Sequence, residues 1–155
     1  MSALELKIPP PVWFIASLVI AYGLDWLTPG ARLSVAGLPQ IGVVIAIVSV
    51  LFALAAIRAF RRHETTIHPT HPGKTTALVM EGPFRLSRNP MYLGLVGVLL
   101  AAVCSLQNPV SLVAVPFLVW AVMRFQIIPE ERILAANFGE PYADYCRRVP
   151  RWLIV

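Results

Sequence analysis

Four apolar runs, at 11–27, 41–57, 91–106 and 110–128, occupy almost half of this 155-residue chain and carry almost no charge. At about 1.5 Å per helical residue, each nearly crosses a hydrocarbon layer of roughly 30 Å. The expectation is therefore an all-α integral membrane protein with about four transmembrane helices, forming a single membrane domain over residues 1–155. The first three runs are short for spans, and 38–40 and 57–60 can supply extra turns. Composition agrees: 57% of residues are hydrophobic and 14% charged, too little charge to cover a soluble domain of this size. A water-soluble enzyme, a disordered chain and a disulfide scaffold are all poor fits. The first run ends in Asp25-Trp26 without a small-residue cleavage pattern, so it is expected to stay as a span and not to act as a signal peptide.

The basic residues orient the spans. With both termini on one side, Lys7, Arg58, Arg61, Arg62, Lys74, Arg85, Arg88, Arg124, Arg132, Arg147, Arg148 and Arg151 fall on that side, and only Arg32 of the thirteen cations lies opposite. Both termini and the segments 58–89 and 129–155 are thus expected in the cytoplasm. The net charge of +5 reads as topology plus attraction to anionic lipid, not as nucleic-acid binding.

Between the third and fourth runs only Gln107-Asn108 precede Pro109, which predicts a tight hairpin. Residues 28–39, with Pro29, Gly30, Gly37 and Pro39, read as ordinary turn material. Gly94 and Gly97 fit small-residue contacts between spans. Cys104 and Cys146 lie on opposite sides under this topology and cannot bridge; Cys104 suits a packing role. His68 and His71 flank Pro69 and have only Glu64 nearby as a further ligand, so no metal site is expected.

Polar character gathers in two cytoplasmic segments. In the first, Asn89-Pro90 reads as N-cap and first residue of the third helix. The N–H groups of Met91, Tyr92 and Leu93, with Arg88 beside them, offer a place for a carboxylate or phosphate. The plainer alternative is a simple cap with Arg88 reaching to lipid headgroups. In the second, Glu130-Glu131 after Pro129 are either first-turn acids or a polar clamp for a ribose, amino or cationic group. Arg124 sits inside the end of an apolar helix, where an ionisable group is costly and commonly functional unless it snorkels. Beyond it Leu134, Phe138, Tyr142 and Tyr145 form an amphipathic stripe broken at Gly139-Glu140-Pro141, suited to packing or to a lid over an interfacial site.

TALVMEGPFRLSRNPMYLG at 76–94 together with EERILAANFGEPYADYCRRVPRW at 130–152 resembles the isoprenylcysteine carboxyl methyltransferase family and its bacterial relatives, and more distantly the phosphatidylethanolamine N-methyltransferases. The likeness covers half the chain, with two spans between the motifs. It implies a membrane methyltransferase that uses S-adenosylmethionine without a Rossmann fold. No strand followed by a glycine-rich loop is present to build one. Carried over by position, Thr76, Ala77, Leu78 and Val79 would line the adenosine and Phe84 would pack on it. Asn89, Pro90, Met91 and Tyr92 would hold the methionine end, and Glu130 would contact the cofactor. Asn89 replaces the histidine, and Phe84 the tyrosine, of many eukaryotic members. Gln126 stands where those enzymes place an arginine linked to the substrate carboxylate, while Arg124 lies about 200° away around an α-helix. That departure points away from prenylcysteine and toward an amine, a thiol or another carboxylate. Arg124 and Glu130 are the candidate catalytic residues, and Gln126 and Arg124 the candidate substrate contacts.

The function implied is methyl transfer to a small or lipidic acceptor drawn from cytosol or membrane, in a bacterial inner membrane; the sequence does not set an oligomeric state. The rival readings are a non-enzymatic membrane scaffold and a lipid-headgroup binding protein. A transporter lacks the inverted repeats it would need.

Overall fold

The computed structural model describes residues 5–62 and 78–153. Among the described residues six α-helices follow in order: α1 (Pro10–Leu27), α2 (Leu38–Arg62), α3 (Pro90–Leu106), α4 (Ala114–Val122), α5 (Ile128–Phe138) and α6 (Glu140–Arg148). Short 3-10 turns occupy Pro29–Ala31, Gly82–Arg85 and Pro109–Val113, and no strand occurs among the described residues. By length and apolar composition three stretches among the described residues are able to cross a membrane: Pro10–Leu27, Leu38–Arg62 and Pro109–Phe138. Helix α3 is apolar but shorter, at 17 residues.

Prolines start the helices where the sequence places them. Pro10 and Pro11 open α1 and Pro90 opens α3, positions where a missing N–H removes no helical bond. Helix α2 is longer than its 41–57 apolar run at both ends, taking in 38–40 and reaching Arg62; Arg61 and Arg62 in its last turn complement the negative end of the dipole.

Helices α2 and α3 lie side by side through small residues. A Cβ on Gly94 would stand 2.8 Å from Ala53 Cβ and 3.0 Å from the Ser49 carbonyl oxygen, and one on Gly97 would overlap Ser49 Oγ. Gly94 and Gly97 therefore permit the backbone approach expected of them. Helix α1 packs against α3 and α4 around buried Ala21, Leu99, Leu118 and Val122. The opposite face of α2, with Val43, Val44, Ile47, Val48 and Leu51, is exposed apolar surface suited to lipid.

The turn expected to be ordinary between α1 and α2 carries a polar clasp. Buried Asp25 accepts hydrogen bonds from Arg32 Nε at 2.8 Å and Arg32 Nη2 at 2.6 Å, and Asn108 Nδ2 donates to Asp25 Oδ1 at 3.2 Å and to the Thr28 carbonyl at 3.1 Å. The single cation assigned to this end of the bundle is thus neutralised, and the clasp ties the 28–33 turn to the α3–α4 hairpin.

The fourth run differs most from expectation. The helix does not end at residue 128 to restart at Pro129; it continues through a π-helical turn, Met123–Ile127, directly into α5. Proline explains the turn. In an uninterrupted α-helix the Phe125 carbonyl would accept from the N–H of residue 129, but Pro129 has none and its ring would press on that carbonyl. The π-turn relieves the clash, and the Phe125 carbonyl accepts instead from the Leu6 N–H at 2.9 Å, donated by the segment before α1. The whole stretch is 30 residues, about 45 Å, so α5 projects beyond a hydrocarbon layer of roughly 30 Å.

Candidate functional site

The segment before α3, the projecting α5 and the final α6 enclose a cleft of about 400 Å³, including space open to solvent. Its walls come from both motif segments: Leu78, Val79, Phe84, Arg88 and Asn89 from the first, Glu130, Glu131, Leu134, Tyr142 and Tyr145 from the second.

One wall is apolar. Gly82, at φ +56° where glycine alone is unstrained, opens the 3-10 turn that carries Phe84 inward. Phe84 meets Phe60 of α2 edge to face with ring centroids 5.0 Å apart, and Val79, Ala56 and Met91 complete this packing. Gly139, at φ +54°, turns the chain from α5 into α6 so that Tyr142 and Tyr145 face back toward Leu134 and Leu78. Tyr145 Oη donates to the Phe84 carbonyl at 2.7 Å, tying the two motif segments together.

Burial pushes both phenols, Tyr142 and Tyr145, above the usual tyrosine range, with the Glu131 carboxylate adding to the effect on Tyr142. The folded chain then holds these protons at a pH where the unfolded chain, near pKa 10, releases them. Stability is therefore expected to fall as pH rises through about 10. Thermal unfolding in detergent between about pH 9 and pH 11 should show the loss, and a Tyr142→Phe/Tyr145→Phe variant should flatten it.

The opposite wall is charged, and its two adjacent glutamates have unlike surroundings. Glu131 is held between two guanidinium groups, with Arg88 Nη1 at 3.0 Å and Arg151 Nη2 at 2.6 Å. Glu130 makes no ion pair among the described residues; it accepts a hydrogen bond from Tyr92 Oη at 2.6 Å. Arg88 also donates through Nη1 to Cys146 Sγ at 2.7 Å, while its buried Nε has no partner among the described residues. Among the described residues, the cleft therefore holds a carboxylate without a cation and a guanidinium N–H without an acceptor.

Asn89 is not the side-chain cap expected. Its Nδ2 donates to the Arg151 carbonyl at 3.1 Å, and Ser87 Oγ accepts from the Asn89 N–H and donates to the same Arg151 carbonyl, each at 3.1 Å. The returning C-terminal segment holds the asparagine amide instead. Of the three N–H groups expected to face an anion, that of Leu93 is spent on the Asn89 carbonyl inside the helix. Pro90 is fully buried and Met91 packs behind Phe84, so both support the wall from behind.

Arg124 and Gln126 are placed elsewhere. Arg124 Nη1 pairs with Glu5 at 2.7 Å, and Gln126, fully buried, donates through Nε2 to the Ile8 carbonyl at 2.5 Å. Neither lines the cleft. Thr76 and Ala77, like the three histidines, lie outside the described residues. Cleft residues given no cofactor role from sequence are Tyr142, Tyr145 and Leu134, signalled only by their amphipathic stripe, and Glu131, read there only as half of an acidic pair.

The family model described as phospholipid methyltransferase matches residues 39–141, from α2 to the start of α6. The chain belongs to the phospholipid methyltransferase family. It is 36% identical over 73 residues to protein-S-isoprenylcysteine O-methyltransferase B of Arabidopsis thaliana, covering 47% of this chain and 37% of that protein. Likeness to the Arabidopsis protein-S-isoprenylcysteine O-methyltransferase A is 32% over 108 residues, 70% of this chain and 55% of that one. A probable protein-S-isoprenylcysteine O-methyltransferase of Oryza sativa subsp. japonica is 28% identical over 109 residues, 70% and 57% of the two chains. The chain thus spans little more than half the length of these relatives at most. No solved structure matches significantly. Membership in the phospholipid methyltransferase family, with the apolar helices, makes this an integral membrane protein, and the family's model covers most of the cleft.

Proposed function

We propose that this member of the phospholipid methyltransferase family binds S-adenosylmethionine in the cleft and transfers its methyl group to a small or lipidic acceptor at the cytoplasmic membrane boundary. The observation that carries the reading is the division of labour between Glu130 and Glu131. Glu131 is neutralised by Arg88 and Arg151, while Glu130 faces the same cleft with, among the described residues, only the Tyr92 hydroxyl as partner. A zwitterionic ligand with an aromatic end fits such a site. The apolar shelf of Leu78, Val79, Phe84 and Leu134 would take the base, Glu130 would accept from ribose hydroxyls or the ammonium, and Arg88 Nε, without a partner among the described residues, would donate to the carboxylate.

The bound cofactor supplies an electrophilic methyl on a sulfonium. The protein's part is to hold donor and acceptor in line and to keep water out. Tyr142 and Tyr145, closing over the cleft from α6, exclude water. Glu130, with Tyr92 steadying one oxygen, is the group placed to receive a proton from an amine or thiol acceptor. In this proposal both termini lie in the cytoplasm of a bacterial cell with four spans, and an apolar acceptor reaches the site from the bilayer.

Calorimetry with S-adenosylhomocysteine on the detergent-solubilised protein tests the reading. Saturable binding at one site per chain is expected. A folded protein that gives no heat and no thermal shift would sink it and leave the lipid-headgroup alternative. Labelled cofactor with a panel of amines, thiols, phospholipids and prenylcysteines then identifies the acceptor.

A further inference from the structure

Pro129 removes the N–H that would close the helix onto the Phe125 carbonyl, and the donor that replaces it comes from the opposite end of the sequence, the Leu6 N–H at 2.9 Å. The same short segment makes three further attachments around the π-turn. Glu5, with its side chain 2% exposed, pairs with Arg124 before Pro129 at 2.7 Å and approaches Arg132 after it at 3.7 Å. The Ile8 carbonyl accepts from Gln126 Nε2 at 2.5 Å. Leu6 itself sits at φ +59°, a left-handed conformation that a leucine keeps only when its surroundings hold it.

A π-turn places one more residue in a turn than an α-helix does, so it shifts the phase of everything after it by about 100°. Glu130 is the first residue after Pro129. Its reach to Tyr92 Oη on α3 thus depends on the turn being π-helical, since an α-helical continuation would swing it away around the axis. We infer that residues 5–8 form a positioning strap, with Glu5 clamping both sides of Pro129, that holds the π-turn and so aims Glu130 into the cleft. Arg124 and Gln126 are then positioning residues acting through this strap. The inference rests on the proposed cofactor site for its functional consequence, but its geometry is separately measurable.

The test uses the full chain in detergent, with Pro129→Ala, Glu5→Gln and Glu5→Asp compared by thermal unfolding, S-adenosylhomocysteine titration and amide hydrogen exchange. Pro129→Ala returns the missing donor to the helix, so a purely structural strap predicts a protein at least as stable and as able to bind. A strap that aims Glu130 predicts an unchanged or higher unfolding temperature, affinity at least about tenfold weaker, and faster exchange at the Leu6 amide. Glu5→Gln should weaken affinity in the same direction, and Glu5→Asp should restore most of it. Parent-like affinity in folded Pro129→Ala and Glu5→Gln proteins would overturn the inference. If the parent itself does not bind, the cofactor reading fails, and Leu6 exchange alone decides the strap: protection lost in Pro129→Ala supports it, protection kept overturns it.

Discussion

Glu130→Gln is expected to lower the rate of methyl transfer by at least about a hundredfold while leaving the fold intact. The amide matches the carboxylate in shape, and its oxygen can still accept from Tyr92 Oη, so local packing is retained. What is lost is one oxygen able to accept from the cofactor and the proton acceptor at the only cleft carboxylate, among the described residues, that no cation neutralises. Single-turnover transfer from labelled cofactor, beside a titration with S-adenosylhomocysteine, separates the two losses. A drop in transfer at unchanged affinity places Glu130 in the chemical step, and a parallel drop places it in cofactor binding. Unchanged transfer and affinity would remove Glu130 from the site. Tyr92→Phe, which deletes one hydrogen bond and keeps the carboxylate, should fall well short of the Glu130→Gln effect.

The largest stability effect is expected from Glu131→Ala. Arg88 and Glu131 have side chains only 14% and 15% exposed, and Arg151 closes the other side of the carboxylate. Removing one partner of a largely buried pair leaves an uncompensated charge and costs about 3 kcal/mol, the low end of the range because these groups keep some contact with water. The damage extends beyond the pair. The Arg151 carbonyl anchors both Ser87 and Asn89, so loosening its guanidinium frees the C-terminal chain from the start of α3. Thermal unfolding should shift strongly downward, whereas replacing exposed Arg147, paired with Glu140 on the surface of α6, should change little. If Glu131→Ala unfolded with the parent, the triad would be decoration on a fold held by its helices.

Much of the architecture was legible because a bilayer imposes simple demands. Apolar runs located α1 and α3 closely, fell short of α2 at both ends and did not show the fourth helix running on into α5; Gly94 and Gly97 announced a close helix pair, and Gly139 announced the break before α6. The motif segments also converge on one cleft: Leu78, Val79, Phe84, Asn89 and Glu130 all line it. What could not be read came from contacts between distant parts of the chain. Asn89 looks like a cap until the Arg151 carbonyl arrives from 62 residues away. Arg124 looks like a stranded cation until Glu5 reaches it from 119 residues away. The angular relation assigned to Arg124 and Gln126 assumed 100° per residue, and that assumption fails inside a π-turn. Pro129 was visible throughout, yet its consequence depends on which donor replaces its own, and only the folded chain answers that.

The clasp between Asp25 and Arg32 bears on how the chain enters its membrane. A cell's transmembrane voltage does electrical work of about 2.3 kcal/mol per 100 mV on each unit charge carried across. Arg32 carried alone would be subject to that work in full. Joined to Asp25 by hydrogen bonds of 2.8 and 2.6 Å, it travels as a dipole of zero net charge, and the field exerts almost no net pull on the turn. An early α1–α2 hairpin that closes this pair is thus electrically silent at its tip. The direction of insertion is then expected to follow the cations at the other end of the helices, beginning with Lys7, Arg58, Arg61 and Arg62.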